Sequence, residues 1–155
     1  MRTSKRASES YTEQVQILTQ EHMNGFGRLF GGTLMSWIDV VAAVVARRHS
    51  NRNVTTACVS ELTFKAPAFA NDTIVLCGHV SYVGRTSMEV CVDSYVENLD
   101  GTRKTINKAY VTLVALDENG VPCEVPLLEI ETESQKKEFE EGQKRRMQRS
   151  EAANS

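Results

Sequence analysis

One carboxylate stands inside an otherwise apolar helical segment, and it has the strongest potential for chemistry. Asp39 lies about two turns into the run 32–48, in which eleven of seventeen residues are apolar. Apolar residues on every face indicate a buried helix. A buried carboxylate is costly unless it is paired, hydrogen-bonded or protonated. Asp39 is therefore either a structural hydrogen-bond anchor or a catalytic group.

Two glycines, Gly31 and Gly32, stand where this helix is predicted to begin. A helix N-terminus presents free backbone N–H groups and a partial positive charge, and glycine lets a ligand approach that backbone closely. The pair is compatible with an oxyanion hole or an anion site, although most such pairs form only a tight turn.

Further polar residues surround this helix start. Thr33, Ser36 and Asp39 follow at i, i+3 and i+6, which places one polar seam on the helix. A seam of this kind would suit a cleft at a subunit interface. The alternative is that the Thr33 and Ser36 hydroxyls donate hydrogen bonds back to carbonyls of their own helix. Asn24, in the glycine-rich loop beside His22, is either a turn residue or an amide that positions water or a carbonyl.

Strand patterns around the helix indicate the fold class. Gly/Asn/Asp turns at 98–101 and 117–120 are typical of hairpins. We predict an α+β protein in which one antiparallel sheet of about five strands wraps around one long central helix. So apolar a helix needs more cover than one sheet provides, which predicts at least a dimer. The predicted strands are 11–19, 54–64, 72–83, 86–97 and 102–116.

Composition excludes several function classes. The 155 residues carry a net charge of −2, which gives no sign of nucleic-acid binding, and no run approaches a membrane span. The four cysteines and three histidines form no metal-ligand pair by spacing, so no metal site is predicted, and a reducing cytoplasm fits best. Residues 1–10 carry no secretory signal and are expected to be disordered, without room for an output domain.

The C-terminal segment 129–155 differs from the rest of the chain. It is rich in glutamate, lysine and arginine, and it holds few large apolar residues. This composition predicts a charged tail, helical or disordered, beyond a single domain over 11–128. A second interpretation is that Lys144, Arg145 and Arg146, with Arg149, reach a phosphate.

The order of the loop and helix residues resembles the hotdog-fold acyl-CoA thioesterases. The pattern is N-x-x-G-x-x-F-G-G-x-L-x-x-x-x-D, which begins at Asn24 and ends at Asp39. The resemblance covers about residues 11–127. Within the family, the chain is similar to the bacterial cytosolic single-domain members that assemble as trimers of dimers. It continues through Val54-Thr55-Thr56-Ala57, Phe64-Lys65-Ala66-Pro67, Val83-Gly84-Arg85-Thr86-Ser87-Met88-Glu89-Val90 and 114–122.

The resemblance implies hydrolysis of acyl-CoA thioesters to free CoA and a carboxylic acid. Asp39 would be the general base or nucleophile, with Asn24 supplied by the neighbouring subunit and the thioester oxygen held by the Gly31 and Gly32 backbone. CoA would be part of substrate and product, so no cofactor is expected. Bases should contact its phosphates. The first candidates are Arg85, Thr86 and Ser87, unless Arg85 is a solvated hairpin residue, with Lys65 next.

Two other functions remain open on this fold. A dehydratase or hydratase would use a histidine in a His-Phe-Pro type loop, which this chain lacks. A non-catalytic acyl-CoA sensor would need an output domain attached to the acyl-CoA-binding domain. Partners are therefore expected to be acyl-CoA and further copies of the chain, with neither nucleic acid nor membrane.

Overall fold

A computed structural model of the chain describes residues 2–154. No helix in this range is both long and apolar enough to cross a membrane. The elements are, in chain order, β1 (Ser4–Arg6), β2 (Thr12–Ile17), α1 (Gly31–Ser50), β3 (Asn53–Phe64), β4 (Thr73–Val83), β5 (Ser87–Glu97), β6 (Arg103–Leu116), β7 (Leu127–Glu129) and α2 (Glu133–Asn154).

A five-stranded antiparallel sheet curls around α1, as predicted. Its strand order is β2-β4-β5-β6-β3, so β2 and β3 are the two edges. Alternate residues of the central strands point at the helix, because side chains in a strand alternate between faces. Ile74, Leu76 and Val90 pack there against Val41 and other α1 residues in one core. The α+β fold prediction is confirmed.

One stripe of α1 remains uncovered within the chain. Gly32, Ser36, Asp39 and Val40 are exposed, and residues spaced in this way lie on one side of a helix. Val40, the large apolar residue among them, has 55% of its surface exposed. One curled sheet reaches only part of the helix circumference, as expected for a helix that needs more cover than one sheet provides.

The expectation of disorder over residues 1–10 is wrong for residues 2–10, while Met1 lies outside the described residues. β1 pairs in parallel with β7, and Ala7 and Ser10 are buried. Lys5 donates to the carbonyl of Arg48 at the end of α1. Polar and backbone contacts hold this segment, so it has no apolar pattern by which the sequence could reveal it.

The charged C-terminal segment forms α2, the helical alternative, up to Asn154; Ser155 lies outside the described residues. It packs on the sheet face opposite α1. Its Arg145 is buried and donates to both carboxylate oxygens of Glu89, at 2.8 and 2.7 Å. A Cβ at Gly142 would come within 2.6 Å of Tyr82 Cβ, so glycine lets the helix approach β4 this closely. α2 is therefore docked on the domain along its inner face.

Candidate active site

Asp39 lies on the uncovered stripe of α1, opposite strand β3. Its Oδ1 accepts a hydrogen bond of 2.7 Å from Thr56 Oγ1. The carboxylate is exposed within this chain, which corrects the expectation of a buried group without a partner. Sequence analysis did not select Thr56, because the residue belongs to a different element seventeen residues away. The only signal was its place in the V-T-T-A motif.

The start of α1 presents unpaired backbone donors. Phe30 is the N-cap residue and its side chain caps nothing, while the first intrahelical bond runs from Leu34 N to Phe30 O at 3.2 Å. The amides of Gly31, Gly32 and Thr33 therefore have no hydrogen-bond partner in the described range. These donors, at the positive end of the helix dipole, can bind an oxyanion.

The polar seam of α1 is only partly available for a ligand. Ser36 Oγ donates to Thr33 O at 2.7 Å, so the interpretation that Ser36 bonds back to its own helix is confirmed. Asp39 is then the residue of this seam that presents a side chain capable of proton transfer.

Asn24 organises the loop before α1. Its Oδ1 accepts from the backbone amides of Phe26 and Arg28, at 2.8 and 3.2 Å, so it does serve as a turn residue. These bonds fix the side chain and leave its Nδ2 donor without a partner within residues 2–154. A turn residue of this kind can also present an amide to a carbonyl or a water.

An open cavity of about 340 Å³ adjoins Asn24. Most of its wall is apolar, and Asn24, Arg28 and Lys65 provide polar groups. Such a lining suits an acyl chain with a polar end. The apolar lining residues are Leu29, Leu34, Phe64, Ala66, Pro67, Ala68 and Ile106.

Arg85 and Thr86 lie in the turn between β4 and β5, and Ser87 is the first residue of β5. Arg85 has an 83% exposed side chain, 3.9 Å from a carboxylate oxygen of Glu124. Ser87 Oγ accepts from Arg146 Nη1 of α2 at 3.0 Å. This turn therefore has solvent on one side and a helix on the other.

The predicted site residues, together with Thr56, separate into two groups. The carboxylate half-site (Asp39, Thr56 and the turn 85–87) lies on one rung of the sheet, because Ser87 pairs with Val114, which pairs with Thr55. The amide half-site (Asn24, Gly31, Gly32 and Lys65) lies near Phe64, which pairs with Asn107.

The two half-sites do not meet within one chain. On β6, Val114 is level with the carboxylate half-site and Asn107 is level with Phe64 of the amide half-site. These two residues are seven positions apart, which corresponds to about 23 Å along the strand. Gly31 and Asp39 are separated by about 12 Å along α1. A reacting carbonyl must lie about 3 Å from both its oxyanion donors and the attacking group. The carboxylate half-site and the amide half-site of one chain are therefore too far apart to act on the same carbonyl.

One group in the described residues offers three kinds of metal-ligand atom. His79 Nε2, Cys91 Sγ and a Glu138 carboxylate oxygen all lie within 4.8 Å of one another. Sequence spacing gave no sign of this group, because its members come from β4, β5 and α2. His79 and Glu138 are hydrogen-bonded at 2.7 Å, and burial raises the pKa of the Cys91 thiol. In this arrangement, the pair ties α2 to β4.

Comparison with known proteins places this geometry in a family. The model of the Thioesterase superfamily matches residues 26–101. An acyl-CoA thioester hydrolase of Bacillus subtilis is 41% identical over 113 residues, which cover 72% of this chain and 66% of the relative. The chain spans only 20% and 38% of longer mammalian relatives, the mouse acyl-coenzyme A thioesterase 11 and the rat cytosolic acyl coenzyme A thioester hydrolase.

Solved structures match over nearly the whole chain. An apo-hexameric acyl-CoA thioesterase has a TM-score of 0.92 and 36% identity, with 97% of both chains covered. The acyl-CoA hydrolase of Staphylococcus aureus, in complex with butyryl-CoA, CoA and CoA disulfide, has a TM-score of 0.89 and 30% identity. That match covers 97% of this chain and 95% of the other.

Alanine variants of the S. aureus enzyme have also been solved. They match with TM-scores of 0.88–0.90 and 29–30% identity, and cover 97–99% of this chain and 95–97% of theirs. The substituted residues are an asparagine, an aspartate 15 residues later and a threonine 17 residues after that, which is the spacing of Asn24, Asp39 and Thr56. Sequence, fold and site spacing agree, and the chain belongs to the family of hotdog-fold acyl-CoA thioesterases.

Proposed function

We propose that the protein hydrolyses acyl-CoA thioesters to free CoA and a carboxylic acid. The observation that carries the proposal is the Asp39 carboxylate, presented on the uncovered stripe of α1 and oriented by Thr56. A thioester carbonyl is already electrophilic, so a carboxylate and an oxyanion site are sufficient machinery. The named activities of the B. subtilis and S. aureus relatives support the same reaction.

Asp39 supplies the proton chemistry. As general base, it takes a proton from water while the water oxygen attacks the thioester carbon. The tetrahedral oxyanion then collapses, the C–S bond breaks, and the proton passes to the departing CoA thiolate. As nucleophile, Asp39 would attack the same carbon, expel the thiolate and form a mixed anhydride that water hydrolyses. The Thr56 hydroxyl holds one carboxylate oxygen in either route and leaves the other oxygen available for attack or proton transfer.

The amide half-site binds the carbonyl oxygen. The unpaired amides of Gly31 and Gly32 receive the developing negative charge at the positive end of α1. Asn24 Nδ2, fixed by two backbone bonds to its Oδ1, donates to the same carbonyl or to the water. Each such donor contributes on the order of 3–4 kcal/mol to stabilisation of the transition state.

The site is completed by a second copy of the chain. β3 is a twelve-residue edge strand whose outer backbone groups are unpaired in the described chain, and Val59 and Phe64 on it are 39% and 54% exposed. Two β3 edges that pair across a two-fold axis extend the sheet and cover the exposed stripe of α1. The carboxylate half-site of one subunit then faces the amide half-site of its partner. Three such dimers form the hexamer that the apo-hexameric relative suggests.

The CoA moiety is bound by basic and hydroxyl groups at the rim. Arg85, Thr86 and Ser87 contact its phosphates at the carboxylate half-site, while Lys65 lies beside the apolar cavity of the amide half-site. CoA is part of the substrate and product, so the reaction uses no separate cofactor. The cytosolic naming of the rat relative supports the predicted cytoplasmic location.

The direct test is release of free thiol from acyl-CoA substrates of increasing chain length, followed with a thiol dye. Wild-type protein should release CoA, and Asp39→Asn should abolish nearly all turnover without loss of melting temperature, since removal of an exposed charge leaves the fold intact. Ser36→Ala is a matched control on the same helix, because the Ser36 hydroxyl bonds only to its own helix. Near-normal turnover by Asp39→Asn would remove Asp39 from the mechanism.

The same test distinguishes the enzyme from a second candidate, an acyl-CoA sensor that does not catalyse hydrolysis. Such a protein would bind acyl-CoA in calorimetry and release no thiol at any chain length. A dehydratase or hydratase would instead change the absorbance of an enoyl-CoA without release of thiol.

A further inference from the structure

The turn between β4 and β5 gathers guanidinium groups from both ends of the chain. Arg2 Nη2 donates to Gly84 O at 2.5 Å, and its Nε donates to Val125 O at 2.6 Å. Arg146 of α2 donates to Ser87 Oγ at 3.0 Å. With Arg85 in the turn itself, three arginines meet around four residues of backbone.

Gly84 makes room for the arginine of α2. A Cβ at position 84 would lie 1.7 Å from Arg146 Nη1 and 3.0 Å from its Cζ. The guanidinium therefore lies directly against the turn backbone, and a larger residue at position 84 would force it to move. Gly84, the glycine of the V-G-R-T-S motif, thus leaves space for a side chain of α2, the segment that sequence analysis treated as a separate tail.

These arginines lack the carboxylates that normally balance them. In the described range, only Arg85 has an acidic partner, Glu124, and that pair is exposed with a separation of 3.9 Å. Arg149, one turn after Arg146 on α2, has a buried Nη1 with no hydrogen-bond partner in the described residues. Cations gathered in a partly buried place without counter-charge favour an anion there.

The preceding residue of α2 shows the opposite arrangement. The guanidinium of Arg145 is fully engaged by contacts within the protein. Glu89 accepts two hydrogen bonds from it, and a carboxylate oxygen of Glu61 lies 3.7 Å away. The guanidinium also lies 3.7 Å from the centre of the Tyr110 ring. Arg145 therefore fixes the position of the helix. That anchor holds Arg146 at the turn, and Arg149 follows one helical turn later with a donor that has no partner in the described residues.

We propose that α2 and the β4–β5 turn together form a phosphate-binding site, with Arg146 and Arg149 as its helical cations and Arg2 and Arg85 beside them. The ligand class is a phosphate monoester or diphosphate, and under the proposed function, on which this inference rests, it is the phosphate end of CoA. Ser87 beside this turn lies about 10 Å from Thr55, the neighbour of Thr56, two strand spacings across the sheet. The pantetheine arm of one CoA molecule spans that distance.

Ligand binding is then coupled to the docking of α2. A ligand that contacts α2 only in its docked position stabilises that position by mass action, and CoA should protect the helix from proteolysis. Free pantetheine, which lacks every phosphate, should not protect it.

The test is calorimetric titration of the full-length assembly with CoA and, separately, with pantetheine. Arg146→Gln should weaken CoA binding about tenfold, because a charge-assisted hydrogen bond is lost. Arg146→Lys should recover part of the loss, and pantetheine binding should stay unchanged in both variants. Lys136→Gln is the control, because it removes an exposed cation of the same helix about 15 Å away and should leave CoA binding unaltered.

Kinetics separate this inference from the proposed function. With an acyl-CoA and the matching acyl-pantetheine as substrates, Arg146→Gln should raise KM for the CoA thioester alone and leave kcat near wild type. Absence of turnover with both substrates would refute the proposed function, while calorimetry with CoA would still decide the phosphate site. Unchanged CoA affinity, or equal losses with CoA and pantetheine, would overturn the phosphate site. If Arg146→Gln does not fold, Arg149→Gln is read in the same way.

Discussion

At the scale of single residues, the environment of Asp39 decides what the chain can do. The sequence suggested a carboxylate confined in an apolar helix, whereas the structure places it on an open stripe and gives it one partner, Thr56. An oriented but accessible carboxylate can reach water and substrate, which a buried anchor cannot. In the proposed mechanism, the carboxylate is therefore oriented by a hydroxyl of the neighbouring edge strand.

Replacement of Thr56 by valine should lower kcat by about 10- to 100-fold, because a hydrogen bond to a charged group contributes about 1.5–3 kcal/mol. Thr56→Ser keeps the hydroxyl and should retain most of the activity. The measurement is steady-state hydrolysis of an acyl-CoA together with melting temperature. Equal activities of the valine and serine variants would show that Thr56 does not orient the carboxylate.

His49 should make the fold sensitive to acid. It is fully buried, its Nε2 lies 2.9 Å from Pro126 O, and its Nδ1 has no partner within the described chain. Burial lowers the pKa of His49, and the charges of Lys5 and Arg2 reinforce this effect, while the hydrogen bond to Pro126 O and the charge of Glu9 oppose it. Because the unfolded chain binds this proton more readily, His49 should cost stability as pH falls below about 6.5, by at most about 1.4 kcal/mol per pH unit.

Urea unfolding at several pH values between 5 and 8 tests this effect. The free energy of unfolding should decline below about pH 6.5 in the wild type. His49→Gln, which can still donate to Pro126 O, should have a flatter profile over the same range. Parallel profiles for both proteins would assign the acid sensitivity to other groups.

At the scale of elements, α2 shows how far sequence analysis reached. The apolar periodicities predicted α1 and the five long strands to within a few residues, because each of these elements buries a regular apolar face. The docking of α2 and β1 left no such signal. α2 is held mainly by polar contacts, among them the buried Arg145–Glu89 pair and the His79–Glu138 hydrogen bond, and by a close approach at Gly142. β1 is held by backbone pairing with β7.

The candidate site could be predicted only in part for the same physical reason. Asn24, Gly31, Gly32 and Asp39 lie within one local motif, so their types and spacing revealed them. Thr56 could not be linked to Asp39 without knowledge of how β3 packs against α1. The role of Arg146 depends in the same way on a long-range contact, with a turn 59 residues earlier in the chain.

Removal of the α2 anchor should destabilise the protein. Arg145→Ala leaves Glu89, which is 1% exposed, with an uncompensated charge in the interior, and breaking such a pair costs about 3–5 kcal/mol. Thermal melting should show a clear fall in Tm, together with faster proteolysis of α2. The exposed Lys136→Ala on the same helix is the control. A Tm equal to that of the control would mean that α2 is held by other contacts.

At the scale of the whole molecule, one chain provides two halves of a reaction centre and an unpaired edge strand. Exposed apolar residues on β3 and α1, among them Phe64 at 54% and Val40 at 55%, lie beside these halves. In the proposed dimer, pairing of the two β3 edges closes the sheet edge and completes the site at the same time. The proposed function therefore makes assembly a condition for activity, with the dimer as the smallest active unit.

The assembly should be a hexamer of three dimers in solution. Light scattering should give about 104 kDa, six copies of the 17.3 kDa chain. Introduction of a charge on the edge strand, as in Val59→Lys, should shift the measured mass toward that of the single chain and reduce activity in parallel. A fully active protein with a mass near 17.3 kDa would refute the shared site.

Complementation between two inactive variants tests the central claim most directly. Asn24→Ala and Asp39→Ala are mixed in equal amounts under conditions that allow subunit exchange, and hydrolysis of an acyl-CoA is followed. If each centre takes Asn24 from one subunit and Asp39 from its partner, half of the dimers are mixed and one of their two centres is intact. About a quarter of wild-type activity should return. A mixture that stays inactive after exchange has been demonstrated by mass would contradict a site shared between subunits.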